Sequence, residues 1–270
     1  SRNVVVGRSG WLFHGHKSFI RHYSNRDRWS DTQLSELLSQ LHAIHRTLER
    51  QEIFFVLVSA PTKFSIYPEY FPKKLIVPRS QHNRHYQLMN LLEMDGRIPV
   101  LRLHDALIEA KSHCQQEFGH PFLYSRMDHH WNSFGAYVAY RAIIKRLKGD
   151  GFLDLEIIPL GQFKRFDDRH ADNLLLAQSG LLELNEALPF YGIEAGKKRG
   201  NRYRLLLIHD SFGYYLKPFL SASFKAVEFV YANRGHRITR DLLARFKPDI
   251  VMIVQLESLM GRLLKYQIEK

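Results

Sequence analysis

Along the chain, short uninterrupted apolar runs alternate with stretches in which apolar residues return every three or four positions. Leu34, Leu37, Leu38, Leu41, Ile44 and Leu48 have helical spacing, and Ser30 or Asp31 is placed to cap that helix. The run IFFVLVSAP (Ile53–Pro61) lacks alternation and reads as a strand buried on both faces. A loop rich in Pro and Tyr (PTKFSIYPEYFPKK) follows. The pattern then predicts a helix around Gln81–Met94, a short strand at Ile98–Leu103 and a helix running to Phe118. FLYSRMDHHW reads as a loop, after which Asn132 or Ser133 caps a helix over Phe134–Lys148.

Residues 150–203 break this rhythm and read as a short β-rich or irregular insertion. From Tyr203 the alternation resumes: a strand (YRLLLIHD), a helix starting near Ser211, and a strand at Val227–Tyr231. A helix at Thr239–Phe246, a strand (DIVMIV) and a final helix at Glu257–Ile268 complete the chain. Strand–helix alternation with continuous apolar strands predicts a mostly parallel sheet covered on both faces. The whole of 1–270 is read as a single α/β domain carrying the insertion.

Composition narrows the class. The chain has 270 residues, 45% of them hydrophobic and 24% charged, which suits a globular domain able to bury a core. A single cysteine, Cys114, excludes an internal disulfide and a Cys-rich zinc site. The longest apolar runs are about eight residues, too short for a transmembrane helix. No leader precedes Ser1, and the opening SRNVVVGRSGWLF reads as that of an excised domain, so compartment stays open. The net charge of +12 raises a nucleic-acid reading. Yet the basic residues are dispersed, with local clusters at Lys197–Arg204 and Arg141–Lys148, and no nucleic-acid-binding motif accompanies them. Such a surface suits an anionic polysaccharide or an anionic membrane face equally well.

Open α/β sheets carry reactive groups in the loops at the carboxyl ends of their strands. Three such loops hold unusual polar residues. In His209-Asp210-Ser211-Phe212, Ser211 opens a helix where main-chain N–H groups favour negative charge, which suits a nucleophile whose reaction develops an oxyanion. An N-cap role for Ser211 or Asp210 explains the same residues. In Asp128-His129-His130-Trp131, His130 is a candidate base and Asp128 the carboxylate that sets its tautomer; a surface loop or a metal site is the alternative. No HExxH or comparable ligand framework supports a metal, and no cofactor motif such as GxGxxG or Walker A is present. In Tyr231-Ala232-Asn233-Arg234-Gly235, Gly235 brings a main-chain N–H close to a ligand or simply makes a turn.

Together these blocks resemble the SGNH (GDSL-like) hydrolase superfamily in circularly permuted order. LLLIHDSF is similar to its first block, VYANRGHRITRDLLARFKPDIVMIV to the next, and FFVLVSAPTK and IPVLRLHDAL to those that follow. DHHWNSFGAYVAYRAII is similar to the last. GRSGWLF, PTKFSIYPEYFP, YSRMDHHWNSFGA and KPDIVMIVQLES narrow the resemblance to the SGNH-like domain of the alginate O-acetyltransferase (AlgX/AlgJ-type) family. It spans nearly the whole chain outside residues 150–200. The resemblance implies an SGNH-hydrolase-like three-layer α/β sandwich, circularly permuted.

For function, the resemblance implies transfer of acetyl groups to hydroxyls of an extracytoplasmic polysaccharide, from a donor presented by a membrane-bound O-acyltransferase. The location implied is periplasmic, with an anchor in the full-length protein as one option. Ser211 becomes the nucleophile, His130 the base, Asp128 its orienting partner, and the N–H groups of Ser211 and Gly235 the oxyanion donors. Lys63, Tyr67, Trp131 and Arg234 are candidate contacts for sugar or donor at the rim. Packing for the aromatics and simple solvation for Lys63 are the alternatives. Two departures from the family pattern stand out. His209 replaces the usual glycine before Asp-Ser, and Gln255 and Glu257 stand where an oxyanion asparagine is expected. Loss of one such donor costs about 2–4 kcal/mol of transition-state stabilisation. An O-acetyl esterase with the same triad, or a non-catalytic carbohydrate-binding module with a decayed site, fits the same residues.

Overall fold

The three uninterrupted apolar runs become the three inner strands of one parallel sheet. The computed structural model describes residues 3–73, 83–170, 187–192, 202–232 and 235–269. In chain order, β1 (Val4–Val6) and β2 (Leu12–His14) form an antiparallel hairpin. They are followed by α1 (Lys17–Tyr23), α2 (Asp31–Glu49), β3 (Phe54–Ala60), α3 (Lys63–Ile66), α4 (Arg84–Asp95), β4 (Val100–Arg102), α5 (His104–Phe118) and α6 (Ser133–Gly149). Next come β5 (Lys164–His170), β6 (Ala187–Gly192), β7 (Arg204–His209), a 3-10 segment (Ser211–Leu216), α7 (Lys217–Ser223) and β8 (Ala226–Tyr231). The chain continues through β9 (Arg237–Ile238), α8 (Arg240–Phe246), β10 (Ile250–Leu256), a second 3-10 segment (Glu257–Lys265) and β11 (Gln267–Ile268).

The sheet runs β4-β3-β10-β7-β8, parallel throughout. Counted from β7 and wrapped through the N-terminal half, the strands take the doubly wound order 2-1-3-4-5, reversing between β7 and β10. That is the permuted arrangement expected from the order of the sequence blocks. Ligands of such sheets bind outside the carboxyl ends of the strands at the reversal, which here is where Ser211 follows β7.

Successive residues of a strand point to opposite faces, and that rule divides the core. Val56, Val58, Leu205, Leu207, Met252 and Val254 face α5, α6 and α7, where Leu107, Tyr140, Ile143 and Phe219 meet them. Phe55, Leu57, Leu206, Ile208, Val251 and Ile253 face α2, α4 and α8, through Leu41, Ile44, Leu88 and Leu243. The result is a three-layer α/β/α sandwich. Ser30 caps α2 in a reciprocal capping box with Gln33, and Asn132 caps α6 by accepting from the N–H groups of Phe134 and Gly135.

Three features differ from the sequence expectations. The final segment is a 3-10 run ending in β11, which pairs with β9. Glu257, Met260, Leu263 and Tyr266 are all buried, and their spacing of three matches the 3-10 period rather than the α-helical one. The helix expected from Ser211 begins as a 3-10 turn, with α7 starting at Lys217. The N-terminal hairpin and α1 had no sequence assignment. Within 150–203, β5 and β6 pair antiparallel, while 171–186 and 193–201 lie outside the described residues, as do Gln81 and His82 before α4.

Candidate active site

β7 delivers Asp210 and Ser211 to the carboxyl edge of the sheet, and Asp210 takes the capping duty there. Its Oδ1 accepts from the Phe212 N–H at 3.0 Å, and its Oδ2 accepts from Gln255 Nε2 at 2.8 Å and the Leu256 N–H at 2.7 Å. Burial pushes the Asp210 pKa up, against the pull of these main-chain N–H groups. Ser211 is thereby released from capping. Its Oγ lies 2.8 Å from His130 Nε2, while His130 Nδ1 lies 3.1 Å from Asp128 Oδ2. An imidazole nitrogen facing a carboxylate carries the proton, which leaves Nε2 as the acceptor for the Ser211 hydroxyl. The Ser211 N–H has no hydrogen-bond partner among the described residues.

Asp128 is fully buried. Burial alone raises a carboxyl pKa, but the bonds from His129 and His130 more than offset it and hold Asp128 far below the usual carboxylate range. The other oxygen, Oδ1, accepts from the His129 N–H and lies 2.9 Å from His129 Nδ1. Burial depresses the His129 pKa, which favours its neutral ring. Asp128, His129 and His130 are the one group among the described residues with metal-ligand potential, all within 4.8 Å. Asp128 Oδ1 is engaged by the His129 N–H, and Oδ2 faces His130 Nδ1.

The loop is held from below. Lys63, expected at a substrate rim, is a buried residue whose Nζ donates to the carbonyls of Leu12, Ser125, Arg126 and Asp128 at 2.5–2.9 Å. Its ammonium also sits over the rings of Trp11 and Phe13, supplied by the N-terminal hairpin. Tyr67 is likewise interior, its hydroxyl accepting from the Leu123 N–H at 2.9 Å. Trp131 is fully buried, and its Nε1 donates to the Phe212 carbonyl at 3.2 Å, tying the histidine loop to the nucleophile turn. These three side chains position the loops instead of lining a rim, because each finds main-chain partners in the interior. Arg234 lies outside the described residues.

Gly235 has φ +102°, and a Cβ there would run into Lys265, whose carbonyl oxygen would lie only 2.6 Å away. Close packing therefore demands this glycine. Gln255 is fully buried with Nε2 donating to Asp210, and Glu257 accepts from the Thr62 N–H and hydroxyl at 2.8 Å, so both side chains are engaged in holding neighbouring loops. His209 is accommodated by Gly213, against which its ring packs, while its Nδ1 donates to the Asp210 carbonyl at 2.6 Å. Sequence reasoning missed several supports. Ser125 Oγ accepts from the N–H groups of Met127 and Asp128, and half-buried Tyr215 lies 5.9 Å from the His130 ring. The one readable signal was glycine four residues after His209.

Over 150 residues the chain is 27% identical to a probable alginate O-acetylase AlgJ of Azotobacter vinelandii, covering 56% of this chain and 35% of that protein. The chain thus spans about a third of that relative's length. The O-acetyltransferase domain of Pseudomonas putida AlgJ shares its fold, with TM-score 0.66 and 20% identity over 98% of this chain and 93% of that one. Bacillus cereus PatB1 does so with TM-score 0.67 and 15% identity, over 97% and 98%. Residues 4–165, which include Asp128 and His130 but stop before Ser211, match the family described as SGNH hydrolase-like domain, acetyltransferase AlgX. On that match, which covers more than half of its length, the chain belongs to the AlgX family of SGNH hydrolase-like acetyltransferase domains.

Proposed function

We propose that this chain is an O-acetyltransferase that moves acetyl groups to hydroxyls of a polysaccharide through an acetyl-serine intermediate. The observation that carries this reading is the continuous relay from Ser211 Oγ through His130 to buried Asp128, beside an unpaired Ser211 N–H. Membership of an acetyltransferase family supports the choice of acyl group.

Ser211 Oγ attacks the acetyl carbonyl carbon while His130 Nε2 takes the hydroxyl proton. The Ser211 N–H, joined by that of Gly235, receives the developing oxyanion. Collapse breaks the bond to the donor's leaving oxygen, which takes the proton from His130, and leaves acetyl-serine. An acceptor hydroxyl then gives its proton to His130 and attacks the acetyl carbon. Expulsion of Ser211 Oγ, reprotonated by His130, completes the transfer. Asp128 stays ionised throughout and stabilises the transient imidazolium.

The acceptor is a polysaccharide of an extracytoplasmic compartment, the periplasm in a two-membrane cell. The net charge of +12 suits an anionic glycan or docking at a membrane where a membrane-bound O-acyltransferase hands over acetyl groups. Among the described residues no helix is long and apolar enough to cross a membrane.

The test is to incubate wild type and Ser211→Ala with a chromogenic acetyl ester, with and without oligosaccharide, and to map adducts by mass spectrometry. Acetyl on Ser211 and acetylated sugar, both lost in Ser211→Ala, are expected. Free acetate as the sole product with every acceptor offered makes the chain an esterase. No adduct, and indistinguishable behaviour of the variant, removes the enzymatic reading.

A further inference from the structure

Beside the Ser211 turn lies an aromatic surface that the acetyl-transfer chemistry leaves unused. Phe166, Tyr214 and Tyr231 are the exposed Phe, Tyr or Trp side chains among the described residues, and the two tyrosines stack on each other. Their ring centroids are 5.2 Å apart at 27°, with 43% of Tyr214 and 47% of Tyr231 accessible. Tyr231 ends β8, the edge strand of the sheet, on the same carboxyl side as Ser211. In a 3-10 turn, residues three apart eclipse one another at about 6 Å along the axis. Tyr214 therefore projects from the same face of its turn as Ser211.

The pair is also fixed in place. The His209 ring meets Tyr214 edge-on at 5.3 Å and lies 6.0 Å from Tyr231, so the residue replacing the usual glycine supports both tyrosines from within. A cation stands beside them. Lys217 Nζ is 4.9 Å from the Tyr214 ring centroid and 5.1 Å from that of Phe229, and it makes no ion pair or hydrogen bond among the described residues.

Rigid aromatic faces with a polar tip bind flat, amphipathic partners at low entropic cost. A pyranose ring is such a partner, since its C–H face is apolar and its rim is hydroxylated. A nearby ammonium with no counter-charge among the described residues selects a ring that bears a carboxylate. We infer that Tyr214 and Tyr231, with Lys217, form a subsite for a carboxylated pyranose of the acceptor chain, next to the sugar that receives acetyl. This inference rests on the acetyl-transfer reading for its choice of ligand and deepens it by naming the acceptor's charge and the residues that hold it.

The test uses the Ser211→Ala protein, in which binding is read without turnover, and a soluble oligouronate with its carboxyl-reduced counterpart as probes. Affinity is measured by calorimetry, and ring contacts by saturation-transfer NMR. Adding Tyr231→Ala is expected to weaken oligouronate binding about tenfold, while Tyr231→Phe, which keeps the ring, stays within about twofold. Lys217→Gln is expected to weaken the oligouronate severalfold and leave the carboxyl-reduced probe unchanged, a readout that holds even where the alanine variant folds poorly. Unchanged affinity in Tyr231→Ala, equal losses in Tyr231→Ala and Tyr231→Phe, or equal effects of Lys217→Gln on both probes overturns the subsite. Absence of acetyl-serine in wild type would instead overturn the transfer reading, and the binding measurements would still decide the subsite.

Discussion

The imidazole of His209 occupies the space that a β-carbon on Gly213 would need. The histidine that replaces the family's usual glycine is thus paired with a glycine four residues later. Gly213→Ala is expected to destabilise the fold by about 1–3 kcal/mol through overpacking. Adding His209→Gly should recover most of that loss, because the two positions share one space. Denaturant melts of both single variants and the double variant measure the coupling, about 0.5–3 kcal/mol for residues in contact. Strict additivity would show that the ring and the glycine do not constrain each other.

Lys63 braces the histidine loop through four carbonyls, that of Asp128 among them. Lys63→Met removes the ammonium from which these four carbonyls accept and should cost about 2–4 kcal/mol, the scale of leaving buried polar groups unpaired. Acetyl-serine formation should slow even at temperatures where the variant is fully folded, since Asp128 and His130 lose their anchor. A variant with wild-type melting and wild-type acetylation would remove the brace from the mechanism.

Trp131 joins the histidine loop to the nucleophile turn by one hydrogen bond to the Phe212 carbonyl. Trp131→Phe keeps a ring in the core but removes that donor, at a stability cost of about 1–2 kcal/mol. The rate of Ser211 acetylation is expected to fall more than the melting temperature suggests, because the Ser211–His130 distance is no longer fixed from both sides. Equal proportional loss of rate and folded fraction would mean that Trp131 serves packing alone.

Acid should weaken the fold between pH 6.5 and about 4. Burial lowers the pKa of His85 from 6.5 to about 4, and the ring keeps a 2.8 Å contact with Ser59 Oγ. Between those values the unfolded chain binds a proton that the folded chain refuses, so stability rises with pH across the window. The contribution is complete above pH 6.5 and lost progressively toward pH 4, amounting to about 3 kcal/mol for this one group. His14 is also lowered to about 4, for the same first reason, and acts in the same direction. Denaturant melts at several pH values should show this slope, and His85→Asn should flatten it; an unchanged slope in that variant would place the acid sensitivity elsewhere.

Local pattern made much of the sandwich legible. Runs such as Ile53–Val58 have no polar residue able to face water, so they had to become inner strands wherever the chain placed them. Ser30 and Asn132 cap their helices as their positions suggested, because capping involves only the next three residues. The hairpin at Val4–His14 escaped the pattern because its apolar residues are buried by distant partners rather than by an alternating face of their own.

Sequence by itself determined the five strands of the sheet and the helices α2, α4, α5, α6 and α8, the permuted order of the blocks, and the residue types Asp128, His130 and Ser211, since these depend on composition and spacing along the chain. Tertiary structure alone decided what long amphipathic side chains do. Lys63, Tyr67 and Trp131 carry both apolar length and a polar tip, so each suits a rim or an interior equally well. The main-chain carbonyls and N–H group that draw them inward, those of Leu12, Leu123, Ser125, Arg126, Asp128 and Phe212, are brought together only when the sheet and its loops close. The same holds for the 2.8 Å approach of Ser211 to His130 across 81 residues, a distance that no local pattern encodes.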